Sequence, residues 1–156
     1  MHMRLRPFLK ELLSLLKEDH PEQLSRIVRE SKGLVYLQVL DGEEAVIRVS
    51  ERGITIDGTA RKKEMNVRVY IGRDHLFDIL EGRLTLEEAV RNGDLRVFGE
   101  PSMILRCYGM WERVISLART SARLYFLTYR LRERRPSGRS TARRPAPRRR
   151  LAPIEA

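Results

Sequence analysis

The stretch Met65–Leu105, MNVRVYIGRDHLFDILEGRLTLEEAVRNGDLRVFGEPSMIL, changes its hydrophobic period three times and decides the fold. Met65, Val67, Val69 and Ile71 alternate with Asn66, Arg68 and Tyr70, the period of a strand with one buried face. Leu76, Ile79 and Leu80 then fall at helical spacing, with Asp74 as the expected cap and Gly82 as the stop. Thr85 and Glu88 make a capping-box pair ahead of Leu86, Ala89 and Val90, and Asn92-Gly93 ends that short helix. Leu95 and Val97 restore the strand period up to Gly99, and Pro101 opens another helix.

Toward the N-terminus, Asp41-Gly42 is a hairpin signal. It joins a strand in which Val35, Leu37 and Val39 alternate with Tyr36 and Gln38 to a return strand carrying Ala45, Ile47 and Val49 on one phase. Ile54 and Ile56 mark a short third strand ending at Asp57-Gly58, and the polar Thr59–Glu64 reads as a loop. Leu5, Phe8, Leu9, Leu12, Leu13 and Leu16 recur at three- and four-residue steps, which predicts an amphipathic helix over 5–18. Pro21 opens a second helix, with Leu24, Ile27 and Val28 on one face and Gly33 past its end. Toward the C-terminus no breaker interrupts the last helix until about Arg134. Pro136-Ser137-Gly138 then begins a segment of Arg, Pro, Ser and Ala, with too few apolar groups to offset its ordering entropy.

These elements predict one α+β domain: a five-stranded, mostly antiparallel sheet covered on one side by helices, with a long C-terminal helix and a disordered basic tail. The expected divisions are N-terminal helices over 1–32, a core over 33–118, an extension of the last helix over 119–134 and the tail over 135–156. With 156 residues, 42% of them hydrophobic, the chain suits a single domain with a real core. One cysteine, Cys107, excludes an internal disulfide and a multi-cysteine zinc site, and His2, His20 and His75 lie far apart. No apolar run is long enough to span a bilayer, and the apolar run near the N-terminus is too short for a signal peptide, so the chain reads as cytoplasmic.

The hairpin Gly33–Gly53, the strand and Asp-capped helix of Met65–Gly82, and the G-x-L-x-V-x-G strand within Arg83–Leu105 together resemble the sterol carrier protein type two family, a small lipid-binding α+β domain. Ala89, Gly93, Leu95, Val97, Gly99 and Met103 are the most telling positions. The likeness covers roughly half the chain; the leucine-rich first helix, the longer closing helix and the basic tail depart from it. The resemblance implies a hydrophobic tunnel between sheet and helices for an acyl chain, sterol or isoprenoid, and a carrier or accessory role in lipid or quinone metabolism. It implies a lining of Val35, Leu37, Val39, Ile47, Val49, Val69 and Ile71 from the sheet. Leu76, Leu80, Met103, Cys107, Met110 and Trp111 would come from helices. The same side chains would equally fill a closed core.

No catalytic constellation, phosphate-cradling loop or cofactor motif emerges. His75 beside Asp74 and Asp78 reads as a solvated helix end, and Cys107 as an inert buried thiol. The last helix carries two apolar stripes. Trp111, Ile115, Ala118, Ala122, Tyr125 and Tyr129 lie on one side, and Met103, Met110, Leu117, Leu124 and Leu131 on another. Arg119, Arg123, Arg130 and Arg134 run between them, and at a membrane interface these arginines would contact the anionic headgroups. One sheet cannot cover both stripes; the first helix, a second copy of the chain in a homodimer, or a membrane interface would each cover the other.

The net charge of +10 is uneven: nine arginines against two glutamates fall in 132–156. Arg143, Arg144, Arg148, Arg149 and Arg150 would attract anionic lipid or nucleic acid without reading sequence. The expected partners are therefore a hydrophobic small molecule or lipid and an anionic membrane surface. Nucleic acid bound through the tail ranks below them, beside a dimerisation module with a filled core.

Overall fold

The computed structural model describes residues 3–58 and 64–132. Two helices, α1 (Leu5–Asp19) and α2 (Pro21–Ser31), lead into strands β1 (Val35–Leu40), β2 (Glu43–Ser50), β3 (Gly53–Asp57) and β4 (Val67–Ile71). Helices α3 (Arg73–Leu80) and α4 (Leu86–Asn92), strand β5 (Leu95–Gly99) and helices α5 (Pro101–Thr120) and α6 (Ala122–Arg132) complete the order. The strands form one sheet in the order β3-β2-β1-β4-β5, antiparallel except for the β1–β4 pair, with the helices packed against it. The predicted tail over 135–156 lies outside the described residues.

The Asp41-Gly42 turn sets the register. Both residues take positive φ, 49° and 86°, as a two-residue hairpin turn of matching twist requires. Partners are then Leu40 with Glu43, Gln38 with Ala45 and Tyr36 with Ile47. Since directly paired residues share a face, the inward phase of Ala45, Ile47 and Val49 takes Tyr36, Gln38 and Leu40 with it. Val35, Leu37 and Val39, predicted to face inward, stand on the opposite face instead, opposite Arg48, Val46 and Glu44. On that outer face, toward the β5 edge, Arg68 lies 5.5 Å over the Phe98 ring, Arg96 lies 5.2 Å over Tyr70, and the two rings meet edge to face.

Two helix ends differ from expectation. Helix α3 starts at Arg73, so Asp74 lies inside its first turn. Asp41, from the hairpin turn, instead accepts the Arg73 backbone N–H at 3.1 Å. The predicted single closing helix is two helices, because Ser121 is extended (φ −108°, ψ 120°). Its carbonyl accepts from Tyr125 N–H at 2.9 Å and its hydroxyl oxygen from Leu124 N–H at 3.4 Å, so this residue caps α6. The turn lays Leu124, Leu127 and Leu131 into the core and leaves Ala122, Tyr125 and Tyr129 exposed. Helix α1 covers the Leu124–Leu131 stripe. The contact is fixed by Arg123 pairing with Asp19 and Glu18 and by Arg130 pairing with Glu11. The Thr85–Glu88 capping box forms as predicted, with both bonds near 3 Å. Gly99 is required by space: a Cβ there would collide with the Asn66 carbonyl.

Arg73 joins the periphery to the hairpin. Its guanidinium donates to Glu43 at 3.0 Å and to the Leu131 carbonyl at 3.2 Å, while Glu43 also accepts the Leu5 N–H at 2.6 Å. The two side chains are only 11% and 17% exposed. Arg73→Met leaves the Glu43 carboxylate with the Leu5 N–H and the exposed Arg4 at 3.8 Å, and a loss of about 2 kcal/mol is expected, the worth of a charged hydrogen bond. Urea unfolding followed by circular dichroism checks this; an unchanged midpoint would contradict it.

Candidate ligand-binding cavity

The sheet and helices surround a cavity of about 280 Å³, just below the roughly 300–1,000 Å³ found for small-molecule sites. Its floor is the β5 half of the sheet: Gln38 and Leu40 of β1, Val69 and Ile71 of β4, Leu95 and Val97 of β5. Phe8 and Leu9 of α1 with Cys107, Trp111 and Ile115 of α5 form the roof, and Leu76 and Ile79 of α3 close one end. The remaining wall is Leu86 and Val90 of α4 with Ile104 and Tyr108 of α5. Val90 and Tyr108 are exposed, which places the mouth between these two helices. Among the described residues, no Lys, Arg, His, Asp or Glu lines the cavity.

Leu9 and Trp111 also line a second, smaller cavity of about 50 Å³ that reaches Ile47 and Met110, so these two side chains form the partition. Trp111 is held in place by its indole N–H, which donates to the Tyr36 hydroxyl at 2.7 Å. Tyr36 in turn donates to the Gln38 side-chain oxygen. Burial pushes the Tyr36 phenol well above its ordinary range, so it remains a donor. Burial likewise raises the Cys107 thiol to about 12. At the mouth, a hydrogen bond to Glu112 raises Tyr108 to about 12.

Of the sequence-predicted lining, the structure brings Val69, Ile71, Leu76, Cys107 and Trp111 together on this cavity, with Ile47 and Met110 on the smaller one. Val49, Leu80 and Met103 pack into the core away from both. Val35, Leu37 and Val39 face the other side of the sheet through the strand phase already described. Sequence reasoning missed Gln38 and Leu40, although the two-residue turn and the phase of Ile47 together imply their side. It also missed the α1 side chains Leu5, Phe8 and Leu9 and the α4 side chains Leu86 and Val90. Arg119 donates to the Ile79 carbonyl at 3.3 Å, and Arg123 and Arg130 are the α1 partners of the fold, so all three have protein partners. Arg134, Arg143, Arg144, Arg148, Arg149 and Arg150 lie outside the described residues. His75 sits 3.5 Å from Asp94 as a surface pair, and among the described residues no group of three His, Cys, Asp or Glu could hold a metal.

Neither a family model nor a curated protein matches the sequence. Solved structures do match. A UbiJ-SCP2 ubiquinone synthesis protein superposes with a TM-score of 0.54 at 19% identity, over 77% of this chain and 98% of that one. Sterol carrier protein 2 from Yarrowia lipolytica in its apo form gives 0.51 at 13% identity, over 67% and 87%. The sterol carrier protein domain 2 of Helicoverpa armigera gives 0.52 at 15%, over 70% and 87%. The chain thus has the fold of sterol carrier protein 2 domains.

The raised Cys107 pKa leaves roughly one thiol in ten thousand ionised at pH 8. Native protein should therefore resist Ellman's reagent at that pH and react with one equivalent in denaturant. Rapid reaction of the native thiol would contradict the burial of this wall.

Proposed function

We propose that the protein is a non-catalytic carrier of one apolar molecule, held between the sheet and helices α1, α3, α4 and α5. The observation that carries this reading is the cavity itself. Native interiors pack densely, and a void of about 280 Å³ behind an open mouth costs dispersion contacts that a ligand would restore. Its walls are aliphatic and aromatic, with the few polar groups such sites use for orientation. The sterol carrier protein 2 fold supports a lipid as cargo, and the likeness to a protein described by its ubiquinone synthesis supports an accessory role in lipid or quinone metabolism. Val69→Trp should fill the cavity and abolish uptake of a fluorescent apolar probe, while Val39→Trp, on the opposite face, leaves uptake intact. Trp111 emission should shift as the probe binds. Equal uptake by both folded variants would remove the carrier reading.

A carrier of membrane-derived cargo must meet a membrane, and α6 supplies a surface for it. Tyr125, Phe126 and Tyr129 are 51%, 62% and 51% exposed on a helix whose inner side is already covered by α1. Directly after it, residues 133–156 hold eight arginines against two glutamates. Aromatic insertion beside a polybasic segment fits an anionic bilayer surface. Flotation on phosphatidylglycerol vesicles should persist at about 150 mM salt, where charge attraction beyond roughly 8 Å is screened. Phe126→Ser and deletion of 135–156 should each weaken it. RNA retention that outlasts vesicle binding as salt rises would favour the nucleic-acid reading.

A further inference from the structure

The polar side chains at the cavity form a chain of donors with a defined direction. The Trp111 indole is a donor only, so its bond to Tyr36 leaves the tyrosine oxygen as acceptor. Tyr36 must then send its own proton onward, and the acceptor within reach is Gln38 Oε1. That fixes the orientation of the Gln38 amide: Oε1 is engaged, and Nε2 carries both remaining N–H groups. One of these reaches the Val39 carbonyl at a long 3.3 Å. The other has no partner among the described residues. Gln38 is 7% exposed and sits on the cavity floor between Leu40 and Val69. An unpaired amide donor facing an apolar space is costly unless something bonds to it.

We infer that Gln38 Nε2–H anchors the cargo, and that the cargo carries a neutral carbonyl oxygen on an otherwise apolar skeleton. This rests on the carrier reading and narrows it. The chemistry selects among oxygen groups. An ionised carboxylate would be buried with no cation among the described lining residues, and an alcohol would have to place its own proton on the second lone pair of an Oε1 that already accepts from Tyr36. A carbonyl accepts one bond and asks for nothing in return. The Trp111–Tyr36–Gln38 chain polarises the amide toward the ligand, and Trp111, the partition between the two cavities, becomes the rigid back of the anchor.

The test uses the full chain with N-phenyl-1-naphthylamine as a neutral fluorescent probe, displaced by 2-tridecanone, tridecane or dodecanoate. In wild type the ketone should displace better than dodecanoate. In Gln38→Leu the ratio of ketone to alkane affinity should fall about fivefold, the worth of one buried neutral hydrogen bond. If Gln38→Leu does not fold because the Tyr36 hydroxyl is orphaned, the amide spectrum of the unaltered chain decides. A second readout needs no variant. Gln23 and Gln38 are the glutamines of the chain, so the side-chain amide region of a ¹⁵N spectrum is sparse. One Gln38 amide proton should move downfield with 2-tridecanone and stay in place with tridecane. Binding of both ligands with an unchanged ratio in the variant, or a Gln38 amide that ignores the ketone, overturns the anchor while leaving the carrier reading standing. Failure of the probe and of every ligand to bind wild type overturns both.

Discussion

The ion pair between Arg73 and Glu43 is where four parts of the chain meet. Glu43 follows the tight turn at the start of β2, and its carboxylate takes both the first N–H of α1 and the guanidinium of Arg73. Arg73 opens α3 and reaches the last turn of α6 through the Leu131 carbonyl. A carboxylate at a helix N-terminus and a guanidinium at a helix C-terminus both complement the helix dipoles. The pair thereby sets where the outer helices begin and end relative to the sheet. The cavity depends on this. Its roof is α1 and its end wall is α3, and neither is tied to the sheet by a ladder of backbone bonds.

What the sequence makes legible follows from how locally each feature is determined. The hairpin, the capping box at Thr85–Glu88 and the left-handed Gly93 depend on two to four neighbouring residues, and all appear where the pattern puts them. The phase of β1 is harder because both of its faces are apolar: Val35, Leu37 and Val39 look like the better buried set, and Gln38 counts against the other. The information was present one strand away, in the two-residue turn that pairs Gln38 with Ala45 and Tyr36 with Ile47. The break at Ser121 is harder still. Neither Thr120 nor Ser121 forbids a helix, and the turn exists because burying Leu124, Leu127 and Leu131 against α1 outweighs the helical bonds given up there.

The same tertiary logic explains the predicted arginine strip. On a continuous helix Arg119, Arg123 and Arg130 would line one solvent-facing ridge. On the broken one, Arg119 turns to the end of α3, and Arg123 and Arg130 turn to the acids of α1. Charge that looked available for an external anion holds the protein together, at the modest worth of exposed pairs. What the break releases outward is aromatic surface, at Tyr125, Phe126 and Tyr129.

The cavity exists because two demands on the sheet face conflict. Large inward side chains would pack it solid, yet strands β1, β4 and β5 present Gln38, Val69 and Val97, which are short or polar, beneath α1 and α5, which bring Phe8 and Trp111 over them. Tyr36 and Trp111 brace each other by a hydrogen bond and cannot relax into the space without leaving a buried donor unpaired. Collapse is therefore opposed from the roof as well as the floor. The wall least anchored is α4, whose one buried side chain is the small Ala89. It flanks the mouth, held at its ends by a capping box and a left-handed glycine rather than by its apolar face. In the proposed carrier, a wall fixed at its termini and light in the middle would be the side that admits an apolar molecule without disturbing the elements that Arg73 and Glu43 hold together.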